Sequence, residues 1–374
     1  MKKVKLKEVL EVKRGTSLSG KYYSETGDKV RLTLGNFDYP GGGFKENTSK
    51  KDIYFIGEVK PQFVLKKGDI ITPLTEQVSG LLGETATIPE NNKYIQSGDI
   101  GLIIPKPEKL DSRFAYYLIS SSIIKKQLDV SSQQTKIRHT SPDKIMDCVV
   151  WIPELNIQRK IAKLLDAIDI KIKNNNQINN NLEELAFTIF FHEFGNKNSN
   201  GNIEQILVEN SKSKIKVGDT KDISGEYPFF TSGESILEWN EYFVNGRTLF
   251  LNTGGNADVK FYVGKAAYST DTWAITTNNN MTDYLYLYLK SIKSNLDRKF
   301  FNGSGLKHLQ KLLFKQEKMY IPTNEELNNF NNKVASFFDT ITANKLENKK
   351  LNSLKDFLLP TLMNGQINVD DIEI

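Results

Sequence analysis

The chain has 374 residues, more than one ordinary domain needs, and its 39% hydrophobic and 10% aromatic content suits real cores and excludes wholesale disorder. No run of about 18 apolar residues occurs, so no membrane-spanning helix is expected, and the charged stretch Met1–Lys7 lacks the apolar segment of a signal peptide. The single cysteine rules out an intrachain disulfide and points to the cytoplasm, while a net charge of +5 permits nucleic-acid binding without arguing for it unless the charge is clustered.

In chain order, a β-like run is expected at Gly68–Thr72 and a helix over about 112–129. The apolar run Cys148–Ile152 follows, in which Cys148 reads as a small buried hydrophobe. A long helix over about 156–195 ends at a polar linker, Gly195–Gly201. Further β-like runs lie at Thr248–Leu251 and Val259–Val263, then a helix over about 282–299 and a second long helix over about 326–365. The expected domains are therefore 1–155 and 196–325, separated by a spacer helix at 156–195 and followed by a second spacer helix with a tail at 326–374.

The chain repeats itself. Trp151-Ile152-Pro153 answers Tyr320-Ile321-Pro322 at an offset of 169. At the same offset Tyr117-Leu118 answers Tyr286-Leu287, and Ile137-Arg138-His139 answers Leu306-Lys307-His308. Inside the long helices the offset becomes 173, aligning Leu165-Asp166-Ala167-Ile168 with Phe338-Asp339-Thr340-Ile341, with the four extra residues expected between Pro322 and the second helix.

Heptads run through both helices. Ile161, Ile168, Asn175, Leu182 and Ile189 take one core position of the first, and Leu164, Lys171, Ile178, Leu185 and His192 the other. Val334, Ile341, Asn348, Lys355 and Leu362 answer the first set; Phe337, Asn344, Leu351 and Leu358 answer most of the second. Such seams must be buried against another helix. In an antiparallel pair about a pseudo-two-fold axis, Asn175 and Asn348 fall at one level, where a buried amide pair lowers stability and penalises slipped registers; solvated asparagines are the alternative. The expected fold is α+β: two mixed α/β domains separated and joined by an antiparallel coiled coil, with an internal repeat.

Two diverged globular units on such a pair suit a split, asymmetric target. A helix of about 36 residues spans about 54 Å, enough for sites about one to one and a half turns apart on DNA at about 34 Å per turn. The order of parts, Pro153-x4-Gln158-x2-Ile161, the Leu-Asp-x-Ile of the first helix, Tyr227-Pro-Phe-Phe-Thr-Ser-Gly233 and Tyr268-Ser-Thr-Asp-Thr-Trp273 resemble type I restriction-modification specificity subunits over the whole chain. The second half departs, because Thr-Asn-Glu-Glu-Leu327 follows Pro322 without the matching Gln.

The resemblance implies a non-catalytic bacterial protein with two target-recognition domains, each reading half of a split site on double-stranded DNA. It also implies that the paired helices act as spacer and docking surface for two modification (methyltransferase) subunits, joined by restriction/translocase subunits. No cofactor is expected in this chain; S-adenosylmethionine, ATP and magnesium belong to the partners. The competing reading is a coiled-coil scaffold joining two protein-binding domains without DNA recognition.

Candidate DNA contacts are Arg14, Lys21 and Tyr22 in a Gly/Ser loop, where long cations reach phosphates and Arg also reads guanine; a solvated surface loop competes. Gly15-x4-Gly20-Lys21 imitates a phosphate loop but lacks the following Ser or Thr. Gln133, Gln134, Lys136, Arg138 and His139 combine amides, cations and imidazole, and recur in diverged form as Ser304, Lys307 and His308. Arg247, Asn252, Asn256, Lys260, Thr270, Asp271 and Trp273 lie near strand ends and loops, with Gly254-Gly255 allowing close backbone approach or simply turning the chain. Phe300-Phe301 reads as core. Enzyme readings fare poorly: three histidines and one cysteine make no zinc constellation, an Asn-Pro-Pro-aromatic tetrapeptide is absent, and Glu58-Val-Lys60 after Asp52 only faintly resembles a metal-dependent nuclease motif.

Overall fold

The computed structural model describes residues 2–39, 42–76, 80–131, 138–221, 223–303, 305 and 307–372. Eight helices order the described chain: α1 Ser112–Ser120, α2 Ser122–Ser131, α3 Pro142–Met146, α4 Leu155–Phe194, α5 Thr282–Ser291, α6 Lys293–Phe300, α7 Lys311–Lys315 and α8 Asn324–Met363. Among the described residues no helix is long and apolar enough to cross a membrane. Two compact units result, Met1–Lys171 with Lys350–Ile374 and Ile172–Lys349, so each unit takes one globular part and a portion of both long helices.

The first unit holds an antiparallel sheet in the order Leu10–Arg14, Ile100–Pro105, Ile70–Pro73, Ala86–Thr87, and a second sheet of two-residue strands, Tyr23–Ser24, Tyr54–Phe55, Val30–Arg31 and Tyr94–Ile95. Leu32, Phe37, Leu65, Ile71, Ala86, Ile88 and Ile100 form the core between them. The second unit has one six-stranded sheet in the order Leu207–Glu209, Thr272–Thr277, Val244–Asn252, Val259–Tyr268, Tyr227–Phe230, Ile236–Trp239. One core of this unit is aromatic: Phe230 stacks on Phe250 with ring centres 4.0 Å apart. The other draws Phe190 and Phe194 of α4, Tyr284 of α5 and Phe330 of α8 into a single cluster, so the helical stem shares the core of its domain. Each such ring, once buried, stabilises by about 1.5–3 kcal/mol.

Beneath different sheets lies one repeated series: two short helices, a two-residue strand, a one-turn helix, another short strand, then a long helix (α1, α2, α3, α4 and α5, α6, α7, α8), with the strand Phe301–Asn302 added in the second half. The expected single helices over 112–129 and 282–299 are broken pairs. Ser121, with φ −68° and ψ 152°, leaves the helical region between α1 and α2, and Ile292 interrupts the second pair. Cys148, Phe300 and Phe301 are buried.

The long helices begin differently, which accounts for the missing glutamine. Gln158, 1% exposed, accepts from the Asp111 amide at 2.9 Å and donates to the carbonyls of Lys109 and Pro153 at 3.0 and 2.9 Å, tying α4 to its domain. In the second half a capping box replaces it: Thr323 Oγ1 accepts from the Glu326 amide at 3.3 Å while Glu326 accepts from the Thr323 amide at 2.9 Å. That bond and the Tyr320 hydroxyl hold the Glu326 carboxyl down at about 2. Each helix starts two residues after its proline, at Leu155 and Asn324, so the four extra residues lie inside α8 and not before it. Four residues are close to one full turn, so the downstream face is nearly preserved.

The seam also corrects the heptad assignment. Ile161, Ile168 and Asn175 are buried as expected, but Ile178 and Leu185 are each 46% exposed, and Lys171 and His192 are exposed. Of the second set Leu164 is buried as expected, and Leu165, Asn179 and Ala186, four residues on from the first set, are buried as well. Ala186, Phe190 and Phe194 also face the core of their own domain, and this second neighbour rotates the buried face away from a pure two-helix seam.

Candidate nucleic-acid interface

In the first unit four chain segments meet beyond the ends of the main sheet. After Leu10–Arg14 the chain turns at Gly15, whose amide donates to Ile100 O at 3.1 Å, and Thr16 donates to Gln96 O at 3.2 Å. A Cβ on Gly15 would stand 2.2 Å from Ser97 O, so no other residue fits. Leu74, following the strand Ile70–Pro73, donates to Asp99 O at 2.8 Å; Thr140 donates to Leu74 O at 2.9 Å, and His139 pairs with Thr75. Arg14 clamps the junction, donating to Gly98 O at 3.2 Å and Thr140 O at 3.4 Å. Asp99 and His139 are exposed at this rim.

The second unit builds the same rim from different residues. Thr253 donates to Asp271 O and Leu309 to Thr253 O, both at 3.0 Å, and His308 bridges to Gly254. The Gly255 amide adds a bond to Lys307 O at 3.0 Å. Thr253 thus plays the part of Leu74, Asp271 that of Asp99, and His308 that of His139. Asn256, Asp271 and His308 are exposed here, and half-buried Lys307 pairs with Asp297. Gly255, at φ +80°, has open space around it.

Several expected contact residues are occupied elsewhere. Arg138 forms ion pairs with Glu76, itself 2% exposed, and with Asp129 at 3.0 Å, so it braces its loop. Trp273 is 4% exposed, packs on Phe314 and donates its indole N–H to Glu209 at 2.8 Å; it is a core residue. Asn252, also 4% exposed, donates to Gly254 O at 2.9 Å and accepts from Asp258 at 2.7 Å, shaping the turn from within. Lys260 donates to Thr231 O at 2.8 Å and to Gly233 O, and burial lowers its pKa. Arg247 binds Asp283 and Asp339 at 3.2 and 2.9 Å. Lys21 stands 4.6 Å over the Tyr22 ring, which rests edge-on against Phe55 of the smaller sheet. Gln133, Gln134, Lys136 and Ser304 lie outside the described residues.

A family model described as the type I restriction modification DNA specificity domain matches residues 1–184 and 199–356. The chain belongs to this family. The specificity subunit of the type I restriction enzyme MjaVIII from Methanocaldococcus jannaschii is 31% identical over 182 residues, 47% of this chain and 42% of that protein. The HindI specificity subunit from Haemophilus influenzae is 33% identical over 95 residues, 25% of this chain and 21% of its own. The chain thus spans less than half the length of either relative. In fold it is similar to the S subunit of a type I restriction-modification system from M. genitalium, with a TM-score of 0.60 at 15% identity, covering 96% of this chain and 95% of that one.

Membership of the specificity-domain family implies DNA target recognition, and beside the second rim lies a set of cations that composition had hidden. The segment after Leu207–Glu209 carries Lys212, Lys214 and Lys216, all exposed, and none forms an ion pair with a described residue. Three bonds lay it across the Tyr268–Ala274 turn: Asn210 donates to Ala274 O at 3.0 Å, Thr270 to Ile215 O at 2.8 Å, and the Tyr268 hydroxyl to Ser211 O at 2.6 Å. The Lys-x-Lys-x-Lys alternation was the available signal.

Proposed function

We propose that this specificity-family chain reads double-stranded DNA through its two rims, each taking one half of a split, asymmetric site. The observation behind this reading is the recurrence of one rim geometry in both halves with different side chains on it. Shared backbone bonds place the reader, and divergent residues give each half its own sequence. Lys212, Lys214, Lys216 and Lys21 suit phosphates, while His139, His308, Asn256 and the carboxylates Asp99 and Asp271 suit base edges, a carboxylate accepting from cytosine N4. Within this reading the chain performs no chemistry. It directs two adenine-methylating modification subunits, which bring S-adenosylmethionine, and restriction/translocase subunits, which use ATP and magnesium. The helical pair, through its spacing and outer face, is the part offered to those partners.

The test is a genome-wide map of methylated adenines in the source strain with the gene intact and deleted. Loss of one split asymmetric motif supports the reading; an unchanged map, with the gene expressed, refutes it.

A further inference from the structure

We propose that each recognition domain is held at a fixed angle on its own stretch of helix by an arginine–carboxylate clasp, and that the clasps set which spacer length between half-sites is accepted. This rests on the reading of the chain as a two-part DNA reader.

Asp166 and Asp339 occupy the same position of the repeated helix motif. In the first unit Arg113, at the start of α1, pairs with Asp166 and lies 3.9 Å from Asp169. Tyr117, one turn on, places its hydroxyl 2.7 Å from Asp166 and 2.8 Å from Asp169, and Asp169 in turn takes Lys355 of α8 at 2.9 Å. Burial, then the charge of Asp169, raises the Tyr117 pKa far above the ordinary phenol value, so it stays a donor.

The second domain carries Thr282 at the place of Arg113, too short to make this contact. Its guanidinium comes instead from Arg247, on the strand Val244–Asn252, and reaches Asp339 at 2.9 Å, the Ala335 carbonyl at 2.9 Å and Asp283 at 3.2 Å. Tyr286, the counterpart of Tyr117, donates to Glu183 of α4, which Lys290 also reaches at 2.9 Å. Arginines from unrelated elements thus converge on equivalent carboxylates, a coincidence that descent from a common half does not produce. Asp339 is 57% exposed and Arg113 39%, so these pairs add little to folding. A planar fork bonded in three directions fixes orientation, which is what a reader at a set spacing needs.

The experiment uses the full chain with its modification subunits and duplexes carrying both half-sites at the native spacer and at one base pair more or less. Asp339→Asn and Asp166→Asn should raise binding to the altered spacers relative to the native one by about 2- to 5-fold, the range an exposed ion pair supplies, with the half-site sequences unchanged. Arg247→Lys, which keeps a charge beside Asp283 but loses the fork, should give a smaller rise in the same direction. Lys333→Gln, removing a helix ion pair outside the clasp, should leave the ratio alone. An unchanged ratio in the clasp variants, or an equal loss at every spacer, overturns the clasp. A wild-type complex indifferent to spacer length instead overturns the two-part reading beneath it.

Discussion

The amide pair in the coiled coil makes a prediction whose sign differs between single and double substitutions. Asn175, 1% exposed, donates to Asn348 at 2.9 Å and to Glu347 at 2.7 Å, and Asn348, 8% exposed, donates to Asn176 at 2.8 Å. Replacing one asparagine by leucine sets the group that faced it against a methyl, at a cost of about 1–3 kcal/mol, while the other asparagine keeps its bond to Glu347 or Asn176. Replacing both removes three bonds worth about 0.5–1.5 kcal/mol each and buries two leucines worth about 1.5–3 kcal/mol each. The double variant should therefore gain about 1–2 kcal/mol, or about 2–6 °C in Tm. Calorimetry on Asn175→Leu, Asn348→Leu and the pair reads all three signs: two drops and a rise. Stability is half of the argument. The asparagines, extended by Asn344 donating to Asn179 at 2.8 Å, are expected to fix register, so the double variant should also trap slipped pairings in disulfide cross-linking from engineered cysteines. A double variant no more stable than the weaker single would refute the reasoning.

Four further outcomes are expected. Changing Lys212, Lys214 and Lys216 together to Gln should flatten the plot of log binding constant against log salt by about 2.7, at about 0.9 per phosphate contact, leaving the recognised sequence unchanged; an unaltered slope would show that these cations do not meet DNA. His308→Ala should alter the preference at the second half-site alone, as read from a methylation map, and a change confined to the first would be contrary evidence. Burial pushes the Asp283 carboxyl up to about 7. Between about pH 4 and 7 the folded chain therefore keeps a proton that the unfolded chain has lost, and stability falls across that window and levels off above it. Asp283→Asn should flatten this part of the Tm profile, and an equal slope in both proteins would count against the burial argument. Exchanging residues 1–155 for another recognition domain should change one half-site; simultaneous change in both would end the modular reading.

The duplication was legible in sequence because both halves close with the same helical series, whose motifs keep an offset of 169 up to the proline and 173 inside the long helices. The sheets were legible in part, at apolar runs inside strands of four or more residues such as Ile70–Pro73, Val244–Asn252 and Val259–Tyr268. The pairing of Tyr23–Ser24 with Tyr54–Phe55 engages two residues on each side, too few to show a period. The second seam position was misassigned past Leu164 because heptad logic supposes one partner helix, whereas Ala186 and Phe190 also face a domain core. Trp273, Asn252, Lys260 and Arg247 show the same limit at the candidate site. Residue type made them readers of DNA, and partners distant in sequence, such as Glu209, Thr231 and Asp339, draw them inward. The loops that meet at each rim were visible one by one, but not the bonds that join them.

The short ribbons at the root of each domain carry a consequence for how such chains diversify. Lys2–Lys5 pairs with Val149–Ile152, immediately before α4, and Gly201–Asn202 with Lys318–Met319, immediately before α8. Paired strands lie about 5 Å apart, so nearly the whole of each domain is an excursion that leaves and re-enters at one doorway. A segment exchanged by recombination between these points has to match only a two- to four-residue ribbon and the helix start. Beyond the doorway even the number of strands differs between the two domains, four against six in the main sheets. Within the two-domain reading the stems would not register the exchange, and a new recognition domain needs only one crossover at each of two short junctions.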